Sequence, residues 1–74
     1  MGFRKITDED EIEDLMMKGY AGEADEFHSA DEGAVARYGN TVVSEIDGVL
    51  AAAEWDTAAE AESSYAAAKR HLPA

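Results

Sequence analysis

Seventeen carboxylates, two imidazoles and four serine hydroxyls are the side chains of this 74-residue sequence best suited to bond-making chemistry, and their spacing organises none of it. Nucleophilic hydrolysis needs a Ser or Cys beside a base that a third group orients. Only His28 and His71 offer an imidazole, no Gly-x-Ser-x-Gly frames Ser29, Ser44, Ser63 or Ser64, and Cys is absent. Among so many carboxylates some acid/base pair is unavoidable on paper. It counts only with a pocket, and a chain this short struggles to enclose the roughly 300 Å³ of a small-molecule site. His28 and Glu32 stand four apart, the spacing of ligands on one helix face, but one imidazole and one carboxylate fall short of a zinc site. The acidic run from Asp8 puts Ile12 where a calcium loop needs oxygen and Glu13 where it needs Gly. Gly19, Gly22, Gly33, Gly39 and Gly48 are spaced as turn punctuation rather than as a phosphate cradle. The sequence therefore predicts a protein with no catalytic residue, no cofactor and no metal.

Charge is the stronger signal. The formal net charge is −11, and residues 1–32 hold eleven acids against three bases. Phosphate repels such a chain, since affinity for nucleic acid or anionic membrane comes from Lys and Arg displacing counterions. The partner this charge predicts is a basic protein surface, including that of a nucleic-acid-binding protein. The candidate docking residues are Asp10, Glu11, Glu13, Asp14, Glu23, Asp25 and Glu26. Duplex DNA presents one charge per about 1.7 Å of axis, and such an array would imitate part of it, as a DNA mimic or phage-type inhibitor does. A second reading makes the acidity environmental. Abundant acids and Ala with only three Lys match a small structural or assembly protein of a halophilic or high-GC organism or its virus, kept soluble by hydrated carboxylates. There is no apolar run of about 18 residues and no signal-like N-terminus; together with the missing Cys, this predicts a cytoplasmic protein.

The elements that must position these groups are legible in part. Length predicts one domain. A helix is expected over 8–18: Thr7 caps it, acids fill its first turn, Ile12, Leu15, Met16 and Tyr20 recur at helical spacing, and Gly19 ends it. Residues 21–32 are ambiguous: Ser29 to Glu32 has capping-box spacing for a short helix to Tyr38, which Gly33 weakens, and Phe27 reads as an apolar anchor. Asp47-Gly48 between Ile46 and Val49 marks a hairpin that pairs Ser44 with Ala51 and Val42 with Ala53; Gly39-Asn40 would add residues 34–38 as a third strand. A capping box at Thr57 to Glu60 opens a helix over 58–71, with Lys69, Arg70 and His71 at its end and Pro73 as its stop.

The resulting fold class is α+β: an N-terminal helix, a two- or three-stranded antiparallel meander, and a C-terminal helix packed on the sheet. The alternative is an all-α bundle of three or four helices, because Val35, Tyr38, Val42, Ile46 and Val49 also recur at three and four. The order helix, strands, helix is similar to that of double-stranded RNA-binding domains. The basic cluster those modules carry at the start of their last helix is replaced here by Glu60 and Glu62, so the similarity implies topology and no RNA binding. The expected core is Ile12, Leu15, Met16, Val42, Ile46, Val49, Trp55, Tyr65 and Leu72. Val43, Leu50 and Trp55 are the candidate apolar contacts, and so small a core makes a second copy of the chain a candidate partner.

Overall fold

Alternation decides the architecture. In Val42-Val43 and in Ala34-Val35-Ala36, neighbouring residues are all buried, and successive strand residues point to opposite faces, so both faces of the sheet must be covered. The structure, a computed structural model, describes residues 2–72. Its elements are β1 (Phe3–Ile6), α1 (Glu9–Tyr20), β2 (Glu26–Ala30), β3 (Gly33–Tyr38), β4 (Thr41–Ile46), β5 (Val49–Trp55) and α2 (Ala58–Arg70). The five strands form one antiparallel sheet in the order β1-β5-β4-β3-β2. Against one face α1 buries Ile12 and Met16 over Ile6, Ala34, Ala36, Val43 and Ala52. Against the other, Ala61, Tyr65 and Leu72 cover Val35 and Val42. The class is α+β, and the all-α alternative is excluded.

The central hairpin has the expected register, Ile46 opposite Val49, Ser44 opposite Ala51 and Val42 opposite Ala53. Asp47 at φ 53° and Gly48 at φ 81° satisfy the two positive φ values of a type I′ turn. Gly39 at φ 60° turns β3 into β4, so residues 34–38 do form a strand.

Two strands exceed the expected two or three. β1 was invisible locally: Phe3-Arg4-Lys5-Ile6 buries only Ile6, and its place comes from pairing with β5 at the far end of the chain. β2 and its turn occupy the stretch whose capping-box spacing suggested a helix. Gly33 decides against that helix, because a Cβ there would lie 1.7 Å from the Glu45 carbonyl oxygen; the strands need this close approach.

The helix ends need corrections too. The cap of α1 is Asp8, not Thr7: its carboxylate accepts from the Asp10 and Glu11 amides at 3.0 and 3.4 Å. Gly19 does not terminate α1. It lies buried within the helix, and Gly22 at φ 86° makes the stop, with the Gly22 amide donating to the Gly19 carbonyl and the Glu23 amide to the Lys18 carbonyl, both at 3.0 Å, a Schellman pattern. Thr57 caps α2 as expected, its hydroxyl accepting from the Glu60 amide at 3.2 Å. The stop assigned to Pro73 lies outside the described residues. Of the expected core, Val49 is 66% exposed beside the turn, whereas Leu15, Ile46 and Trp55 are half-buried against the core.

Gly19 is where α1 touches the sheet most closely. A Cβ there would lie 2.9 Å from Phe27 Cδ1 and 3.1 Å from Ala36 Cβ. Helix propensity alone would reward Gly19→Ala by about 1 kcal/mol, but overpacking costs about 1–3 kcal/mol. A urea titration is therefore expected to show the variant less stable than the parent; a stabilised variant would mean that α1 does not approach the sheet this closely.

Candidate functional site

With Ile12, Met16 and Gly19 turned inward, the 3.6-residue period sends Asp10, Glu13, Asp14, Met17 and Lys18 outward, and all five are exposed. Glu9, Asp10 and Glu11 occupy the first turn, where the helix dipole favours negative charge. Lys18 lies 3.3 Å from Asp14, and it is the only base on the helix. The outer surface of α1 is thus a carboxylate field with one compensating cation.

The seven carboxylates picked out as one docking face divide. Asp10, Glu11, Glu13 and Asp14 share α1, and Glu23 is exposed just past its end. Asp25 is exposed but structural: it accepts from the Gly39 amide at 2.6 Å and holds the β3–β4 turn against β2. Glu26 pairs across the strands with Arg37, which pairs in turn with the α2-side residue Val42, and so lies on the opposite face of the sheet. Its carboxylate takes the Arg37 Nε at 2.7 Å, and Arg37 Nη1 donates to the Gly39 carbonyl at 2.7 Å. The hydrogen bond to Glu26 raises the Arg37 pKa further above its ordinary value. Glu26 is therefore removed from the α1 surface.

The apolar contacts also separate. Val43 is fully buried beneath α1, where a side chain of its size contributes about 2 kcal/mol to folding, and it offers nothing to a partner. The face that Val43 shares with Leu50 is the one α1 covers. Leu50 is half-buried on that face and Trp55 on the other, so the three form no common patch.

Sequence reasoning missed Met17 and Tyr20. Tyr20 recurs at helical spacing with Ile12, Leu15 and Met16, yet it is 59% exposed and Met17 71%. The missing clue is Gly19: once a glycine belongs to the buried stripe, Tyr20 falls beside it. The Tyr20 ring meets Phe27 edge-on at 5.0 Å, which fixes its position while leaving it open to solvent. Glu13, Met17 and Tyr20 then border a shallow groove with Glu45 and Leu50. Carboxylates beside an exposed aromatic ring and a thioether can receive a Lys or Arg head and the apolar stem behind it.

The remaining polar groups serve the fold. His28 Nε2 lies 2.7 Å from the Leu72 carbonyl oxygen, so that nitrogen carries the hydrogen and ties β2 to the end of α2; His28 is not directed to Glu32. The Tyr38 hydroxyl donates to the Leu15 carbonyl. Burial raises the pKa of both Tyr38 and Tyr65, with nearby carboxylates adding to the effect. Among the described residues no three His, Cys, Asp or Glu converge as a metal site, and no helix is long and apolar enough to cross a membrane. Comparison with protein-family models, curated proteins and solved structures gives no match.

A phenol whose folded pKa is raised contributes stability that is complete below its unfolded value, about 10, and is lost as pH rises through the folded value. Chemical denaturation at stepped pH is thus expected to show stability falling above about pH 10. Tyr38→Phe and Tyr65→Phe should each flatten that fall; an unchanged slope in both would contradict the burial of these phenols.

Proposed function

We propose that this protein is a non-catalytic interaction protein that docks a basic protein surface on the outer side of α1. The observation that carries the reading is the company the carboxylates keep: Met17 and Tyr20 stand exposed among Asp10, Glu13 and Asp14. A surface serving only to hold water has no need of an exposed thioether and aromatic ring. A surface that binds cationic side chains uses both, the carboxylates for long-range attraction and the ring for close contact. The partner class is one with clustered Lys or Arg, which nucleic-acid-binding proteins carry on their binding surfaces. Inhibition by charge imitation of DNA is the form this docking takes if the partner's nucleic-acid site is the surface covered.

A specific observation favours a second reading, acidity as adaptation to salt. Asp31, Glu32, Asp47, Glu54, Asp56 and Glu62 are exposed as well, and they lie off α1. Salt separates the two. Folding that needs molar NaCl, followed by circular dichroism, supports adaptation, whereas a fold stable at about 0.1 M leaves docking as the role of α1.

Replacing Asp10, Glu11, Glu13 and Asp14 by Asn or Gln is expected to cut capture of basic proteins at least tenfold at low salt, with the thermal midpoint shifted only slightly. Tyr20→Ala should weaken capture at unchanged net charge, and Glu26→Gln, on the far face, should leave it intact. Quantitative pull-down at about 0.05 and 0.5 M salt reads all three. Equal capture by the four-residue variant would reject the α1 surface.

A further inference from the structure

The face opposite α1 is only half covered. Helix α2 packs chiefly on β3 and β4. Beyond it a groove runs between α2 and the β1 edge, lined by Phe3, Lys5, Ala51, Ala53, Ser64 and Ala68. A second depression, holding Trp55, Ala59, Ser63 and Ala67, meets the first at Ser64. Phe3 is 56% exposed with its ring 4.7 Å from that of Trp55, and Val49, also on this face, is more exposed still. Aromatic and aliphatic side chains exposed together on one face, beside a groove, are what a contact with a partner would cover.

We propose that a second copy of this chain covers that face in a two-fold dimer, with the two α2 helices antiparallel. Charge selects the occupant. The chain carries −11 overall, so two copies repel almost everywhere, but the charged residues that line this groove and its neighbouring depression are one base, Lys5, and one acid, Glu60, with Arg70 exposed in the last turn of α2. This is the surface on which a copy of so acidic a chain meets the least repulsion. The order of charges along α2 fits as well. Its acids lie in the N-terminal half and its bases in the last turn, so antiparallel helices set Glu60 of each copy against Arg70 of the other, and two-fold symmetry makes the contact twice. Exposed Ala59, Ser63, Ala66 and Ala67 present no bulk to hold the backbones apart.

The consequence reaches past the docking surface without depending on it. Because α1 and α2 lie on opposite faces of the sheet, pairing through α2 leaves both α1 helices outward, on opposite sides of the dimer. A partner with two basic patches would then be held by both.

Sedimentation equilibrium of the full chain in about 0.5 M NaCl, which screens the net repulsion, is expected to give twice the 8.0 kDa chain mass at high micromolar concentration. Ser63→Arg, an exposed change at the centre of the contact, should weaken dimerisation at least tenfold while circular dichroism stays that of the parent. Arg70→Glu should do the same, and adding Glu60→Lys to it should restore the dimer by reversing both charges. A parent that stays monomeric up to about 0.5 mM, far above the concentration at which a micromolar dimer forms, would overturn the proposal. So would a dimer that Ser63→Arg leaves unweakened. Either result leaves the α1 pull-down to stand or fall by itself.

Discussion

Close approach between α1 and the sheet is the constraint on which the rest of the molecule depends. Ala34, Val35 and Ala36 are fully buried from both sides, and Gly19 removes the side chain that would otherwise hold α1 away from Phe27 and Ala36. A chain of this size has few large apolar residues, and it obtains a dense interior by making its layers thin rather than its side chains large. Thin layers leave little rotational freedom. With Gly19, Ile12 and Met16 committed inward, the period of the helix dictates that Asp10, Glu13, Asp14 and Met17 face solvent, so the acidic outer surface of α1 is a by-product of how the helix must pack.

That constraint also explains which parts of the structure could be read from sequence. The β4–β5 register was legible because Asp47-Gly48 is a local signal and alternation counts outward from it. Both helices were legible from charge order and periodicity, and α2 also from its cap at Thr57. β1 was not, since its only pairing is with β5 at the far end of the chain, and β2 was not, since the turn that joins it to β3 carries the capping-box spacing of Ser29 to Glu32. The role of Gly19 was hidden for a related reason: a glycine in a helical pattern reads as a terminator unless the partner surface is known. With Gly19 read as the end of the helix, Tyr20 is grouped with the apolar residues of α1 and stays off the candidate site, although it is 59% exposed.

The acidity divides along the same lines. Asp8 caps a helix, Asp25 holds a turn and Glu26 clamps Arg37, so part of the charge belongs to folding. The carboxylates of the middle of α1 are not used in this way, apart from the Asp14–Lys18 pair at the surface, an exposed contact of a kind that contributes little. Negative charge that no fold requirement explains, beside an exposed ring that no core requirement explains, is what directs attention to α1 rather than to the acids as a whole.

The most direct measurement follows backbone amide shifts while a Lys/Arg-rich amphipathic peptide is titrated into the isotopically labelled protein. Docking on α1 predicts saturable shifts concentrated between Asp10 and Tyr20 and at Leu50 across the groove, with the Asp31–Glu32, Asp47 and Asp56 turns hardly moved. Shifts spread evenly over every exposed carboxylate, in proportion to local charge and without saturation, would contradict it.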